Sequence, residues 1–404
     1  MYKLINLKKL LLFILLSYPI LLISGPFLSD LAVVISCLFF LFNYSKFKIN
    51  NLVIFLLIFY LVILITNLFS FNIFLSYEKT IPYLRFILFV IVFSYFFDEY
   101  KDYQKYFYLC VFIAFTILIF TSGYLYFFDY LIDEIPSRLG LIHRDEKILG
   151  SISVRLIPIL FLGIYFFSKK YTSFIHKCFY IFLIIGSHFL VIASGERSAI
   201  LLLILFNFLF FLFIKDSLTK KLFFKSLGLI ILIFVFLQIF LGIKNFTRYD
   251  IFYDAFQKKS ISVLAQAHSD HFYTAYKMFK SKPITGHGSR SFYSKCNDKK
   301  YYSGKNSCST HPHNIYLQLL AENGLASFSL IFGLFIYSLS KLIRLRFFKK
   351  IEEEQTPIKL ILINILLNFW PIISTGSFFN NYLNCFFYLP LALLSYYQYI
   401  KFKT

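Results

Sequence analysis

Long apolar blocks constrain this chain more than any other feature of its sequence. They lie at roughly 10–25, 27–43, 51–70, 84–98, 106–124, 151–168, 178–193, 198–214, 226–243, 314–340, 358–375 and 380–399. Many are at or near the ~20 residues that a helix needs to cross a bilayer. The pattern predicts an all-α polytopic membrane protein with about twelve transmembrane helices. Only 15% of the 404 residues are charged and 59% are hydrophobic, which sets the chain apart from soluble proteins, where about a quarter are charged. Residues 1–243 are expected to hold helices one to nine, 244–313 one large loop, and 314–404 helices ten to twelve. The block near 314–340 is long and opens on polar residues, so part of it is expected to project from the membrane.

The formal charge is +21, from 41 Lys and Arg against 20 Asp and Glu. Nucleic-acid binding would cluster these cations on one face. Here they sit in short loops between apolar blocks, and Lys46 and Lys48, Lys101 and Lys105, and Lys169, Lys170 and Lys177 mark every second loop. That alternation follows the positive-inside rule and puts both termini in the cytoplasm. No small-x-small cleavage site follows the first apolar block, so it reads as a signal anchor. The 244–313 segment then lies outside. Cys296 and Cys308 fall in it, on the oxidising side, and are expected to form a disulfide worth ~3 kcal/mol.

Four stretches carry candidate chemistry. The first is STHPHNIYLQLLAENG, Ser309 to Gly324. Pro312 suits the first turn of a helix, which puts His311 and His313 beside its N-terminus. Asn314, Gln318 and Glu322 recur every fourth residue and form one polar stripe. Inside a membrane such a stripe must face protein or a wet cavity; on a projecting helix it is simply solvated. The second stretch, SGERSAI, places Glu196 and Arg197 between two apolar blocks with almost no loop. Arg197 there is either a functional cation, able to grip a phosphate through two parallel N–H bonds, or half of a structural pair. The third, Arg138 to Arg155, reads as a basic outer surface or as solvated loop charge. The fourth, PITGHGSRSFYSKC, has Gly286 and Gly288 but Ser291 where a dinucleotide fingerprint needs a third glycine, so it reads as a tight turn presenting Arg290. His268, His271, His287, His311 and His313 share the outer segment, yet no third ligand follows the His-x-His pair at a familiar spacing, so no metal is expected.

Together these stretches resemble the bacterial O-antigen ligase and O-antigen polymerase superfamily. The strongest mark is His313-Asn314, nine residues, then Gly324; the family pattern next favours Gly, Thr or Tyr where this chain has Ser327. GERSA resembles the family's Arg-containing membrane segment, GHGSRSF its glycine turn, and PIISTGSFFNN, from Pro371, its penultimate turn. The family also carries an outer-loop Arg shortly before an aromatic-rich helix. Here that helix is HFYTAYKMF from His271, with no Arg immediately before it, which leaves Arg248, Arg290 or a nearby His for that role.

The resemblance implies a GT-C-like transferase of lipid-linked glycans in the bacterial inner membrane, with its active site facing the periplasm. The donor would be a glycan on undecaprenyl pyrophosphate, the acceptor a lipid A-core hydroxyl, and no cofactor, metal or nucleic acid would take part. Arg197 would stabilise the leaving pyrophosphate and His313 would serve the acceptor hydroxyl as base or orienting partner. Arg290, Arg248, His311, Asn314, Gln318, Glu322 and Arg138 are the expected substrate-binding residues. A polymerase extending lipid-linked glycan is the nearest rival. A secondary transporter is the rival from another class, but the one candidate helix break, at Ser194–Ser198, has no partner in the other half.

Overall fold

The computed structural model of the chain describes residues 2–44, 47, 49–132, 148–241, 268–347 and 352–403. Among them the structure is helical, without strands. In chain order the helices are α1 (Tyr2–Leu16), α2 (Tyr18–Ile23), α3 (Pro26–Asn43), α4 (Asn51–Leu68), α5 (Ile73–Thr80), α6 (Leu84–Glu99), α7 (Gln104–Ile132) and α8 (Leu149–Ser168). Then follow α9 (Phe174–Ala193), α10 (Arg197–Phe213), α11 (Ser217–Leu241), α12 (Ser269–Ser281), α13 (Ser291–Lys295), α14 (Ile315–Phe347), α15 (Glu352–Asn368) and α16 (Asn381–Lys403).

Local chemistry sets several boundaries. Asn50, Asn72 and Ser173 each accept a backbone N–H three residues on and so start α4, α5 and α9. Gly25 turns at φ 116° and Pro26 opens α3, separating the first two apolar blocks. The 10–25 block itself is divided at Ser17, with Pro19 in the first turn of α2. Seven helical stretches among the described residues are long and apolar enough to cross a membrane: Pro26–Asn43, Asn51–Leu68, Ile73–Glu99, Lys101–Leu125, Leu149–Ser168, Phe174–Ala193 and Ile315–Phe347. The chain is therefore a polytopic all-α membrane protein. The 198–214 block forms α10, which at 17 residues is shorter than these.

The helices divide into two compact units. The first comprises residues 1–28, 100–250 and 341–367. Its centre is α8, buried along almost its whole length among α7, α9, α10 and α11. Phe161 meets Phe206 and Phe210 at ring separations of 5.2 and 4.8 Å, and Phe210 meets Phe223 at 4.6 Å. Gly163 lets α7 and α8 close up, because a Cβ there would lie 2.9 Å from Phe112.

The second unit comprises residues 29–99, 251–340 and 368–404. Its densest pairing is α6 against α16, with Phe86 stacked on Tyr388 at 5.5 Å and Phe97 edge-on to Tyr396 at 5.5 Å. Outside the apolar helices, residues 268–313 build a small core of their own. Ala275, Met278, Phe292, Cys296 and Tyr301 bury together with Ala321 of α14, and Cys308 and Leu317 pack on them. Cys296 and Cys308 are joined as a disulfide, with an S–S distance of 2.12 Å. This core seats the polar segment on the first turns of α14.

Candidate functional site

The site in the second unit is organised by a break in α14. Gly324 has φ 72° and ψ −172°, a conformation that is essentially open to glycine alone. The break frees helical carbonyls for the 283–288 segment. His287 N–H donates to Ala321 O at 3.1 Å, Gly288 N–H to Glu322 O at 2.7 Å, and Leu325 N–H to Pro283 O at 2.8 Å. The chains approach so closely that a Cβ on Gly324 would lie 2.1 Å from Ile284 O, and one on Gly286 would lie 2.4 Å from Glu322 O. The two glycine motifs of the sequence are therefore the two sides of one junction.

Polar side chains far apart in sequence fix the turn that follows. Asn67 Oδ1 accepts from Ser289 N–H and Oγ at 3.0 and 3.1 Å. Asn323 Nδ2 donates to Ser289 Oγ at 3.0 Å and to Thr66 Oγ1 at 3.2 Å. Arg290 then stands in a left-handed conformation, φ 67°, at the start of α13. Its guanidinium is partly exposed, 3.8 Å from the Glu78 carboxylate.

The N-terminus of α14 differs from the sequence expectation. The helix begins at Ile315, and Pro312 lies before it rather than in its first turn. Asn314 is the cap: its Oδ1 accepts from Tyr316 and Leu317 N–H at 3.0 and 3.1 Å. An Asn cap satisfies two orphan donors, whereas Pro at N1 only avoids one, so the side-chain acceptor sets the boundary. Asn314 Nδ2 also donates to Pro371 O at 2.7 Å, and Thr375 N–H to His313 O at 2.9 Å. The 371–378 turn is thus laced to the helix start. Gln318 and Glu322 extend the lacing. Gln318 Oε1 accepts from Phe378 N–H at 2.8 Å, and its Nε2 donates to Ser377 Oγ and Glu322 Oε2, both at 3.0 Å. Glu322 is fully buried and its Oε1 accepts from Phe292 N–H at 3.1 Å. The polar stripe faces protein, and its hydrogen bonds brace the loops around the site.

Four imidazoles gather at this helix start. His313 has φ 56°, a left-handed backbone that projects its ring among His268, His271 and His311. Ring separations to His313 are 4.6, 5.3 and 4.2 Å respectively. His268 occupies the position just before α12, with no side-chain capping bond, and His271 lies in the first turn of that helix. His311 Nε2 lies 3.3 Å from Thr375 O and its Nδ1 2.9 Å from Thr310 Oγ1. Burial, reinforced by the neighbouring imidazoles, pushes His313 down to about 3 and holds His311 below its ordinary value. Both rings are therefore neutral near pH 7.

In the first unit, Arg197 opens α10 and is partly buried. Glu196, just before it, caps a different helix: its Oε1 accepts from Gly150 and Ser151 N–H at 2.7 and 3.2 Å, at the start of α8. A carboxylate at a helix N-terminus complements the helix dipole. One turn further, Arg155 is buried, and its Nη1 donates to Ser151 O at 2.7 Å. A buried Arg inside an apolar helix is itself a functional candidate. In the sequence Arg155 closes the 138–155 stretch, which reads as outer-surface or loop charge; the structure instead buries it inside α8, as its place within the 151–168 block could have signalled.

The second unit thus brings together His311, His313, Asn314, Gln318 and Glu322, and holds Arg290 on the adjoining turn. Arg197 belongs to the first unit. Arg138 and Arg248 lie outside the described residues. His268 and His271, which the sequence reading did not assign, complete the imidazole group.

A set of apolar membrane-length helices bearing a disulfide-tied polar segment, with partly buried histidines at the start of a broken helix, defines the class. Residues 179–332 match the O-antigen ligase family, and this match supports placing the chain in the O-antigen ligase-like superfamily. It supports a function of O-antigen ligase or polymerase type in general, within a family of membrane glycosyltransferase-like enzymes. No curated protein matches the chain.

Proposed function

We propose that this protein is an O-antigen ligase-like glycosyltransferase that moves a glycan from undecaprenyl pyrophosphate to a sugar hydroxyl of lipid A core. The observation that carries this reading is the extent of the family match. It begins before Arg197, ends after Gly324, and takes in the whole imidazole group and its junction. The proposed setting is a bacterial inner membrane, with both termini cytoplasmic and the 268–313 segment in the periplasm.

In the proposed reaction the acceptor oxygen bonds to the anomeric carbon with inversion while the bond from that carbon to the diphosphate oxygen breaks. The hydroxyl proton passes to neutral His313, and the diphosphate departs as an anion on its lipid. Negative charge on the diphosphate favours the imidazolium that this transfer creates. Arg290 and Arg197 are each assigned to phosphate oxygens, whose geometry suits the planar guanidinium. Gln318 and Glu322 act as positioning residues beside the substrate: Glu322 holds the Phe292 N–H, and Gln318 holds the Phe378 N–H and the Ser377 hydroxyl.

The test is complementation. In a strain lacking its O-antigen ligase, this chain should restore a glycan ladder on lipid A core. His313→Ala should abolish the ladder while leaving protein abundance unchanged. Long chains restored only in a polymerase-null strain would replace the ligase reading with the polymerase one. A fully active His313→Ala variant would remove His313 from the mechanism.

A further inference from the structure

We infer that His268, His271 and His313 form a binding site for a divalent d-block cation such as Zn²⁺. The three side chains each offer one ring nitrogen, and these nitrogens lie within 4.8 Å of one another. Tetrahedral zinc with Zn–N bonds near 2.05 Å sets its ligand nitrogens about 3.3 Å apart. Ring rotations of roughly 1.5 Å would close that gap.

Two further observations favour a cation here. His271 is 7% exposed, and its Nδ1 is buried without a hydrogen-bond partner. A buried imidazole nitrogen in that condition costs free energy that a metal–nitrogen bond recovers. Next, His313 holds a left-handed backbone that costs a non-glycine residue about 1–2 kcal/mol, and the result is to aim its ring into the group.

No carboxylate joins the group among the described residues. Asp270, next in sequence, is turned to the 304–306 loop, where its Oδ2 accepts from Asn306 N–H at 3.1 Å. A dication on three neutral ligands keeps its full charge, so its remaining positions favour an anionic oxygen, such as a phosphate. The inference rests on the imidazole geometry and stands apart from the transferase reading. The two do interact: ligation uses a ring lone pair of His313 and leaves its other nitrogen as an N–H donor. The metal-loaded form is therefore not the proton-accepting form, and zinc is expected to inhibit transfer.

The full chain, purified without a polyhistidine tag and stripped of metal, is titrated with Co²⁺ and then Zn²⁺. The expected result is one Co²⁺ per chain with visible d–d absorption, displaced by Zn²⁺. His271→Gln and His268→Gln should each weaken binding by at least about 100-fold, since even outer-shell changes cost 10–100-fold. His176→Gln, which removes an exposed imidazole, should leave it unchanged. Diethylpyrocarbonate mapping of the unsubstituted protein covers the case in which the variants misfold: Zn²⁺ should protect His268, His271 and His313 but not His176. Absence of stoichiometric Co²⁺ binding, a His271→Gln variant that binds as tightly as the parent, or equal modification with and without Zn²⁺ would overturn the inference. None of these results bears on the complementation assay.

Discussion

His287 shows how one side chain couples the site to its medium. Its Nε2 lies 2.9 Å from Ser281 Oγ and 3.1 Å from Met278 O. Burial first, and then Lys295, Lys282 and Lys300, hold its pKa below 6.5, while the Met278 carbonyl opposes them. The folded state therefore binds fewer protons than the unfolded state in the acid range. The stability from keeping this ring neutral is fully present above about pH 6.5 and is lost as pH falls below it. Thermal melting should drop between pH 7.5 and 5.5, and His287→Gln should flatten that slope. Equal slopes for the two proteins would refute the assignment. Arg290 makes a different point at the same scale. The sequence predicted a turn presenting it, and the turn is there, but Asn67 and Asn323, which hold that turn, lie 222 and 34 residues from Ser289. No local pattern signals such partners.

Among the elements, α14 carries the clearest expectation. Its two internal glycines differ in surroundings: Gly324 meets Ile284 O and Gly286 N, whereas nothing lies within 4 Å of a Cβ at Gly333. Gly324→Ala should destabilise the protein by about 2–4 kcal/mol, from backbone strain plus overpacking. Gly333→Ala should be neutral or gain up to about 1 kcal/mol of helix propensity. Melting temperatures of the two variants in detergent decide the matter, and equal losses would mean that the break is not structural. The spacing of the glycines and of His313 was legible because each motif is local. Their mutual pairing was not, since it depends on carbonyls that become available only after Gly324 interrupts the helix. The helix start was misplaced by three residues for a related reason: proline signals a first turn, but the Asn314 side chain supplies the acceptor that fixes it. His268 and His271 stand among the outer-segment histidines of the sequence, but their grouping with His313 is not legible there, because a spacing of three reads as an ordinary helical face until α12 is docked on α14 by the Met278–Phe292–Ala321 core.

For the whole molecule, the apolar blocks made the membrane class plain, while orientation rests on charge alternation and calls for direct measurement. Cys178 is an exposed free thiol beside Lys177, on the side expected to be cytoplasmic. A membrane-impermeant maleimide should leave it unlabelled in intact spheroplasts and label it after permeabilisation; labelling of intact cells would invert the topology. Global stability also bears on the two residues outside glycine that adopt positive φ among the described residues, Arg290 and His313. Each forfeits about 1–2 kcal/mol that glycine would return, out of a total that is commonly 5–15 kcal/mol. His313→Gly should therefore melt above His313→Ala, with both inactive. Selection for heat resistance alone would drive positions 290 and 313 toward glycine; under the proposed function the resulting proteins would be sturdier and inactive, so the strain at both places would be the cost of keeping those side chains in use.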